Sequence, residues 1–243
     1  MSRSRRVVLE PAFLLHHRDW SDTSRILDLM TRNNGRVTLF ARGARRPKSP
    51  LRPALQPFMP LLVSWSGSGD GGQLTGVEPA GRASPLPPAR LMSGFYLNEL
   101  LLRLTRHEDA MPDVFEAYAI ALDGLRHGNT EQPALRRFEK ALLGCLGYGL
   151  DLATEVGSGE PLAAERYYHF RAGSGFMAVG EVSAEGAFRG ADLLALAADR
   201  LESPATLRAA RRLLRESLAH CLEGRGLKSR DVMLALRRRE ADK

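Results

Sequence analysis

The residues whose type and spacing suggest chemistry lie between Asp28 and Asp70, an interval without a carboxylate that holds Arg32, Arg36, Arg42, Arg45, Arg46, Lys48 and Arg52. A solvated surface normally mixes signs, so an acid-free stretch of this length points to a polyanion whose phosphates the cations neutralise, with release of condensed counterions. The alternative is a basic loop that serves solubility alone. Arg36, Arg42, Arg45, Arg46, Lys48 and Arg52 are the candidate phosphate contacts. Phe40 and Trp65 are candidate platforms for stacked bases, and each would serve equally well as buried core.

Catalytic groups are harder to find. Gly67, Gly69 and Gly72 satisfy a G-x-G-x-x-G spacing, but Gln73-Leu74-Thr75-Gly76-Val77 follows as a strand pattern, where a dinucleotide site needs a helix, so a hairpin loop is expected. The histidines include the pair His16-His17 but no H-E-x-x-H, and the two cysteines, Cys145 and Cys221, sit far apart in apolar helical patterns as small hydrophobes. Asp19, Asp22 and Asp28 are the carboxylates that a two-metal nuclease would require. No nucleophile elbow, Walker loop or triad emerges. The expectation is a binding protein, not an enzyme, with no cofactor and no metal.

The charge distribution supports this. The 243-residue chain has a net charge of +7, and residues 1–82 carry 13 Lys+Arg against 6 Asp+Glu, so the whole surplus lies in the first third. The start Met-Ser-Arg-Ser-Arg-Arg has the charge of a signal-peptide n-region, but Glu10 and Pro11 end the apolar run that follows. No segment is long and apolar enough for a membrane helix. A cytoplasmic protein is expected.

These residues must be held by some framework. Val7 and Leu9, then Ala12–Leu15, Ser24–Met30, Arg36–Ala41, Leu61–Trp65 and Gln73–Glu78 read as short strands. Asn34-Gly35 between two of them predicts a type I′ hairpin, since both residues tolerate positive φ. Alternation after it puts Val37, Leu39 and Ala41 on a core face and Arg36, Thr38 and Phe40 on the other. Pro47, Pro50 and Pro53 exclude a central strand from Gly43 to Pro53, which reads as a mobile basic loop. This pattern fits a small closed barrel over residues 1–80 such as the OB-fold.

Beyond the proline-rich boundary from Pro79 to Pro88, helical periodicity takes over in residues 81–243. Helices are predicted around Met92–Leu104, Phe115–Leu125, Pro133–Leu146 and Ala191–Ala198, then from a Ser203-Pro204 cap through Leu222, and from Ser229 through Leu236 to Arg237-Arg238-Arg239. Residues 151–190 interrupt them with seven glycines and β-like pieces at Tyr167–Phe170 and Phe176–Val179. The fold class is α+β: an N-terminal OB-fold β-barrel, then a helical domain with a small cysteine-free β-like insertion.

Taken in order, Trp20-Ser21-Asp22-Thr23-Ser24, Gly35-Arg36-Val37, Ala41-Arg42-Gly43-Ala44-Arg45, Leu55-Gln56-Pro57-Phe58, Tyr96-Leu97-Asn98-Glu99-Leu100-Leu101, Leu135-Arg136-Arg137-Phe138-Glu139, Leu146-Gly147-Tyr148-Gly149 and Leu227-Lys228-Ser229-Arg230 resemble the RecO family over nearly the whole chain. The resemblance implies DNA repair and homologous recombination: binding of single- and double-stranded DNA, annealing of complementary strands and, with RecR, help in loading RecA onto DNA coated by single-strand-binding protein, with a functional link to RecF. It places Asp22 in a turn and Asp28 in a strand, as structural residues, and it implies a bacterial, nucleoid-associated setting. Many family members carry a four-cysteine zinc module in the insertion. Here Glu155 and Ser158 stand at what looks like the first pair's spacing, so zinc is not expected.

The same resemblance makes the helix around Leu135, Arg136, Arg137, Phe138 and Leu142 a candidate dock for the acidic C-terminal tail of single-strand-binding protein, cations beside apolar residues suiting an apolar chain end with a free carboxylate. Ordinary helix packing with solvated arginines is the alternative there. For the whole chain, the competing readings are an RNA-binding OB-fold protein of the translation apparatus and a nuclease with an unrecognised site.

Overall fold

A computed structural model describes residues 5–67, 71–180, 185–229, 231–233 and 235. Gly69 of the glycine-rich spacing and Leu236 to Arg239 of the last expected helix lie outside these. The strands are β1 (Arg5–Trp20), β2 (Ser24–Thr31), β3 (Gly35–Ala41), β4 (Pro60–Gly67) and β5 (Gly72–Pro79), with a short helix α1 (Leu51–Ala54) between β3 and β4. They form a closed barrel in the order β1-β2-β3-β5-β4.

Closure depends on β1. Its first half pairs with β4 and its second half with β2, and the register shifts between Val7 and Glu10 and between Leu14 and His16. Such bulges bend and twist a strand enough to serve two neighbours. Leu9 sits in the first one with φ +50, and its N–H donates to Ser64 Oγ at 3.0 Å in place of a ladder partner. The barrel then closes where β3 runs parallel to β5, Leu39 opposite Gly72 and Phe40 opposite Gln73. A Cβ on Gly72 would lie 2.8 Å from Leu39 Cδ2 and 2.9 Å from Trp65 Cδ1, so a side chain there would push the two strands apart.

Alternation fills the interior as the sequence pattern predicts, with Ala12, Leu14, Leu27, Leu29, Val37, Leu39, Ala41, Leu61, Val63, Trp65 and Leu74 all buried in one cluster. The β2–β3 turn differs from the expected type I′ form. Thr31 pairs with Gly35, leaving Arg32-Asn33-Asn34 as the loop, and Gly35 alone takes positive φ, +65. Hydrogen bonds decide this: Glu10 accepts from Asn33 N at 2.6 Å and from Asn33 Nδ2 at 3.2 Å, while Thr31 Oγ1 accepts from Asn34 N at 3.2 Å. A three-residue loop closed by a left-handed glycine is the next commonest hairpin.

The helices follow as α2 (Leu91–Leu104), α3 (Pro112–His127), α4 (Gln132–Cys145), α5 (Gly190–Ala197) and α6 (Pro204–Cys221), with strands β6 (Tyr167–Arg171), β7 (Gly175–Val179) and β8 (Phe188–Arg189) between α4 and α5. Packing divides the chain into two compact units: Met1–Gly128 with Leu227–Lys243, and Asn129–Gly226. The change from strands to helices comes after Pro79, whereas the compact units divide after Gly128. The reason lies in the run Ala12-Phe13-Leu14-Leu15, which is apolar on both faces. Ala12 and Leu14 face the barrel core, and Phe13 packs on Phe115 and Tyr118 of α3, with ring centroids 5.2 and 5.1 Å apart. Asn98 of α2 donates to the Leu15 carbonyl at 2.8 Å and accepts from the Tyr118 hydroxyl.

In the second unit α4 and α5 both pack on α6. Pro133 falls in the first turn of α4, and Ser203 caps α6 by accepting from Ala205 N at 3.2 Å, as their sequence positions predict. The insertion forms a three-stranded sheet in the order β7-β6-β8.

Candidate nucleic-acid interface

The acid-free interval resolves into an exposed turn-rich segment after β3. Arg42, Arg45, Arg46, Lys48 and Arg52 are all exposed. Turn hydrogen bonds shape it, Arg46 N to the Gly43 carbonyl at 3.1 Å and Ser49 N to the Arg46 carbonyl at 3.0 Å, while buried Ala44 and Leu55 tie its base to the barrel core.

Arg45 differs from its neighbours. Its backbone N donates to the Thr23 carbonyl at 2.9 Å, its guanidinium donates to the Ser21 carbonyl at 2.7 Å, and its Nε lies 3.3 Å from Asp19 Oδ2. Asp19 also pairs with Arg25 at 3.3 Å. Arg45 thus pins the basic segment to the β1–β2 turn. The carboxylate that a nuclease reading would direct at metal is held between two arginines, and Asp28 accepts from Thr38 Oγ1 at 2.9 Å. Among the described residues no cluster of three His, Cys, Asp or Glu side chains could hold a metal ion.

The β1–β2 turn that Arg45 grips carries Trp20, 55% exposed, with its ring set edge-on to Phe40 at a centroid distance of 6.1 Å. Phe40 is half-buried on the outward face of β3. Trp65, by contrast, is 6% exposed inside the barrel and cannot meet a base. Trp20 is the aromatic that the sequence reading missed. Its available signal was a large aromatic flush against a polar turn, where nothing in the chain pattern offers it a core to fill. Nearby, burial holds His17 below the ordinary histidine range, Arg25 and His16 pushing the same way against Asp19.

Two expected sites lie less exposed than the basic segment. Arg36 is half-buried and donates to the Thr105 carbonyl at 3.0 Å, while its own carbonyl accepts from Glu108 N at 2.9 Å. The segment between α2 and α3 covers this end of the hairpin, and Arg36 holds it down. On α4, Leu135, Phe138 and Leu142 are buried, the i, i+3, i+7 stripe facing the core. Arg136 is 6% exposed and forms an ion pair with Glu139 at 2.9 Å. Arg137 alone of that set is exposed, and it donates to the Asp199 carbonyl at 3.2 Å.

Elsewhere in the first unit, Glu99 of α2 accepts from Lys228 N at 2.9 Å, Ser229 N at 2.8 Å and Ser229 Oγ at 2.6 Å, where the chain returns to this unit and turns helical. Burial alone would raise the Glu99 pKa. The Ser229 and Lys228 hydrogen bonds, with Arg103 nearby, outweigh it and hold the carboxyl below the ordinary glutamate range.

Comparison with known proteins shows the family. Residues 5–82 match the family model "Recombination protein O N terminal" and residues 87–231 match "Recombination protein O C terminal". Among curated relatives, the chain is 44% identical over 227 residues to the DNA repair protein RecO of Methylococcus capsulatus, covering 93% of each chain. It is 42% identical over 226 residues to that of Photobacterium profundum, covering 93% of this chain and 95% of the relative. With the protein of the same description from Nitrosococcus oceani it shares 44% over 234 residues, 96% of this chain and 95% of the other.

Proposed function

Because the chain belongs to the RecO family of DNA repair proteins, we propose that it is a recombination mediator that works by binding alone: its barrel tracks the backbone of single- and double-stranded DNA and anneals complementary strands. The observation that carries this reading is the exposed segment bearing Arg42, Arg46, Lys48 and Arg52, pinned through Arg45 to the turn that presents Trp20. The cations supply sequence-independent phosphate neutralisation, and an exposed indole stacks on any base. Annealing follows from the chemistry, since neutralising two strands removes much of the repulsion between them.

No step in this scheme requires ATP, a cofactor or a bound metal. Its partners in the cell are RecR, the acidic tail of single-strand-binding protein and, functionally, RecA and RecF; simultaneous contact with DNA and its coating protein would let recombinase replace that protein. The buried set Leu135, Arg136, Phe138 and Leu142 is not part of this reading. No described helix is long and apolar enough to cross a membrane, and the proposed setting is the bacterial cytoplasm at the nucleoid.

The test is strand annealing measured with labelled complementary oligonucleotides in EDTA and without nucleotide. Acceleration over the protein-free rate supports the proposal. Annealing that needs metal or nucleotide, or preference for RNA over DNA, rejects it.

A further inference from the structure

The second unit carries 12 Lys+Arg against 13 Asp+Glu, so its net charge hides any local surplus. The surplus is on α6. Arg208, Arg211, Arg212 and Arg215 recur at i, i+3, i+4 and i+7, all exposed, while Ala210, Leu213, Leu214 and Leu218 of the same helix are buried. At 1.5 Å per residue the stripe runs about 10 Å along one helix face. With Glu216 and Ala219 the four arginines line an open depression of about 460 Å³. Among the described residues none of them pairs with a carboxylate. One is fixed in place: the Arg212 guanidinium lies 3.7 Å over the Phe188 ring and donates to the Ala187 carbonyl at 2.7 Å.

Like charges three and four residues apart repel and weaken a helix. Four such arginines beside the single acid Glu216, which none of them pairs with among the described residues, therefore work against the stability of α6, and an anionic partner would relieve it. The lining also selects among anionic partners. A docked peptide needs an apolar anchor pocket, and among the described residues lining the depression the only apolar side chain besides the arginine stems is that of Ala219. A phosphodiester backbone needs only closely spaced cations and a guanidinium plane, which the stripe provides.

We infer that the exposed face of α6 is a second binding surface for the backbone of single-stranded DNA, separate from the barrel. It goes beyond the barrel reading, since an annealing protein must hold two strands and a single chain would then carry a surface for each.

The test uses the full chain and labelled oligo-dT. Four proteins are compared: wild type, a barrel variant (Arg42→Gln, Arg46→Gln, Lys48→Gln), an α6 variant (Arg208→Gln, Arg211→Gln, Arg215→Gln) and the two combined. Arg212 is left intact because it supports Phe188, and the pair Arg211→Gln, Arg215→Gln gives a milder version should the triple variant lose its fold by circular dichroism. The barrel variant should keep residual binding that the combined variant loses, with the salt slope falling by about 0.7 per α6 contact removed. The α6 variant should bind one strand on the barrel yet anneal on the order of tenfold more slowly. Exchange of the same three arginines for lysine should preserve much of both activities. Residual binding and annealing that ignore the α6 substitutions overturn the inference, as does an acidic peptide that binds wild type, fails on the α6 variant and leaves DNA binding untouched. If the α6 variant loses all binding and the barrel variant none, the inference stands and the barrel reading fails.

Discussion

Trp20 meets Phe40 edge-on, the ring centroids 6.1 Å apart with planes at 69°, and this contact props an indole up on the outside of a barrel whose other tryptophan is buried. The pair belongs to different strands, β1 and β3, and Arg45 bonds the Trp20 turn to the basic segment that follows β3. Trp20→Ala should weaken single-stranded DNA binding by about 1 to 3 kcal/mol, the worth of one base stack, with a smaller effect on duplex. Trp20 and Trp65 are the only tryptophans, so fluorescence is a direct readout: DNA should quench the wild type and leave Trp20→Phe almost unquenched. Equal quenching of the two proteins would remove Trp20 from the site.

Single substitutions at Arg42, Arg46, Lys48 and Arg52 should each lower the log–log salt slope of DNA binding by about 0.7 to 0.9, and should do so for single strands and duplex alike. Arg45→Ala should cost more than any of them. It removes a charge and also the bonds to Ser21 and Asp19 that seat the segment. Anisotropy titrations at several salt concentrations check both statements, and an Arg45→Ala effect equal to that of Arg46→Ala would contradict the second.

Glu99 gives the first unit an acid sensitivity. Its folded pKa is lowered, so the stabilisation it supplies is complete above the unfolded value of about 4.3 and is lost as pH falls through the folded one. The protection of the Lys228 and Ser229 amides against hydrogen exchange, relative to their intrinsic rates, should fall below about pH 4.3 in the wild type. In Glu99→Gln, which cannot titrate, the same amides should exchange faster at neutral pH and show no such acid step.

The ion pair between Arg136 and Glu139 is almost fully buried. Removing one partner strands a charge, and Glu139→Ala or Arg136→Ala should each cost about 3 to 5 kcal/mol in urea unfolding of the second unit. Arg136→Met with Glu139→Leu should recover most of that loss. A tail-binding defect in Arg136→Ala would accordingly report on folding. Near-wild-type stability of both single variants would show that the pair carries little.

The insertion should be indifferent to chelators. Val156 N donates to the Phe176 carbonyl at 2.7 Å, and Glu155 Oε1 accepts from Ala178 N at 3.2 Å, joining the 154–161 turn to β7 through hydrogen bonds. Elemental analysis should find no stoichiometric zinc, and EDTA should leave the melting temperature unchanged. Glu155→Ala should lower it modestly, in line with losing the roughly 1.5 to 3 kcal/mol of a hydrogen bond to a charged group.

Much was legible in the chain because it depends on local order. The period-2 pattern from Val37 to Ala41 determined which side chains enter the barrel, and the Ser203-Pro204 cap and Pro133 marked helix starts, since each of these signals acts within a turn or a strand of its own position. The acid-free interval likewise announced its exposed cations, because a run of like charge without counterions is costly to bury. What only the tertiary structure decided is which of those residues a distant segment covers. Arg36 lies on the strand face expected to be outward, and the residues before α3 fold over it. Trp20 at the end of β1 and Trp65 between two serines of β4 keep similar polar company in the chain, yet barrel closure buries Trp65 at 6% exposure and leaves Trp20 55% exposed. The α4 stripe has the spacing of a dock and of a core helix alike, and α6 determined the outcome by packing against it. Periodicity specifies that a face is apolar; which partner covers it depends on contacts between residues far apart in the chain, and a local pattern carries no record of those.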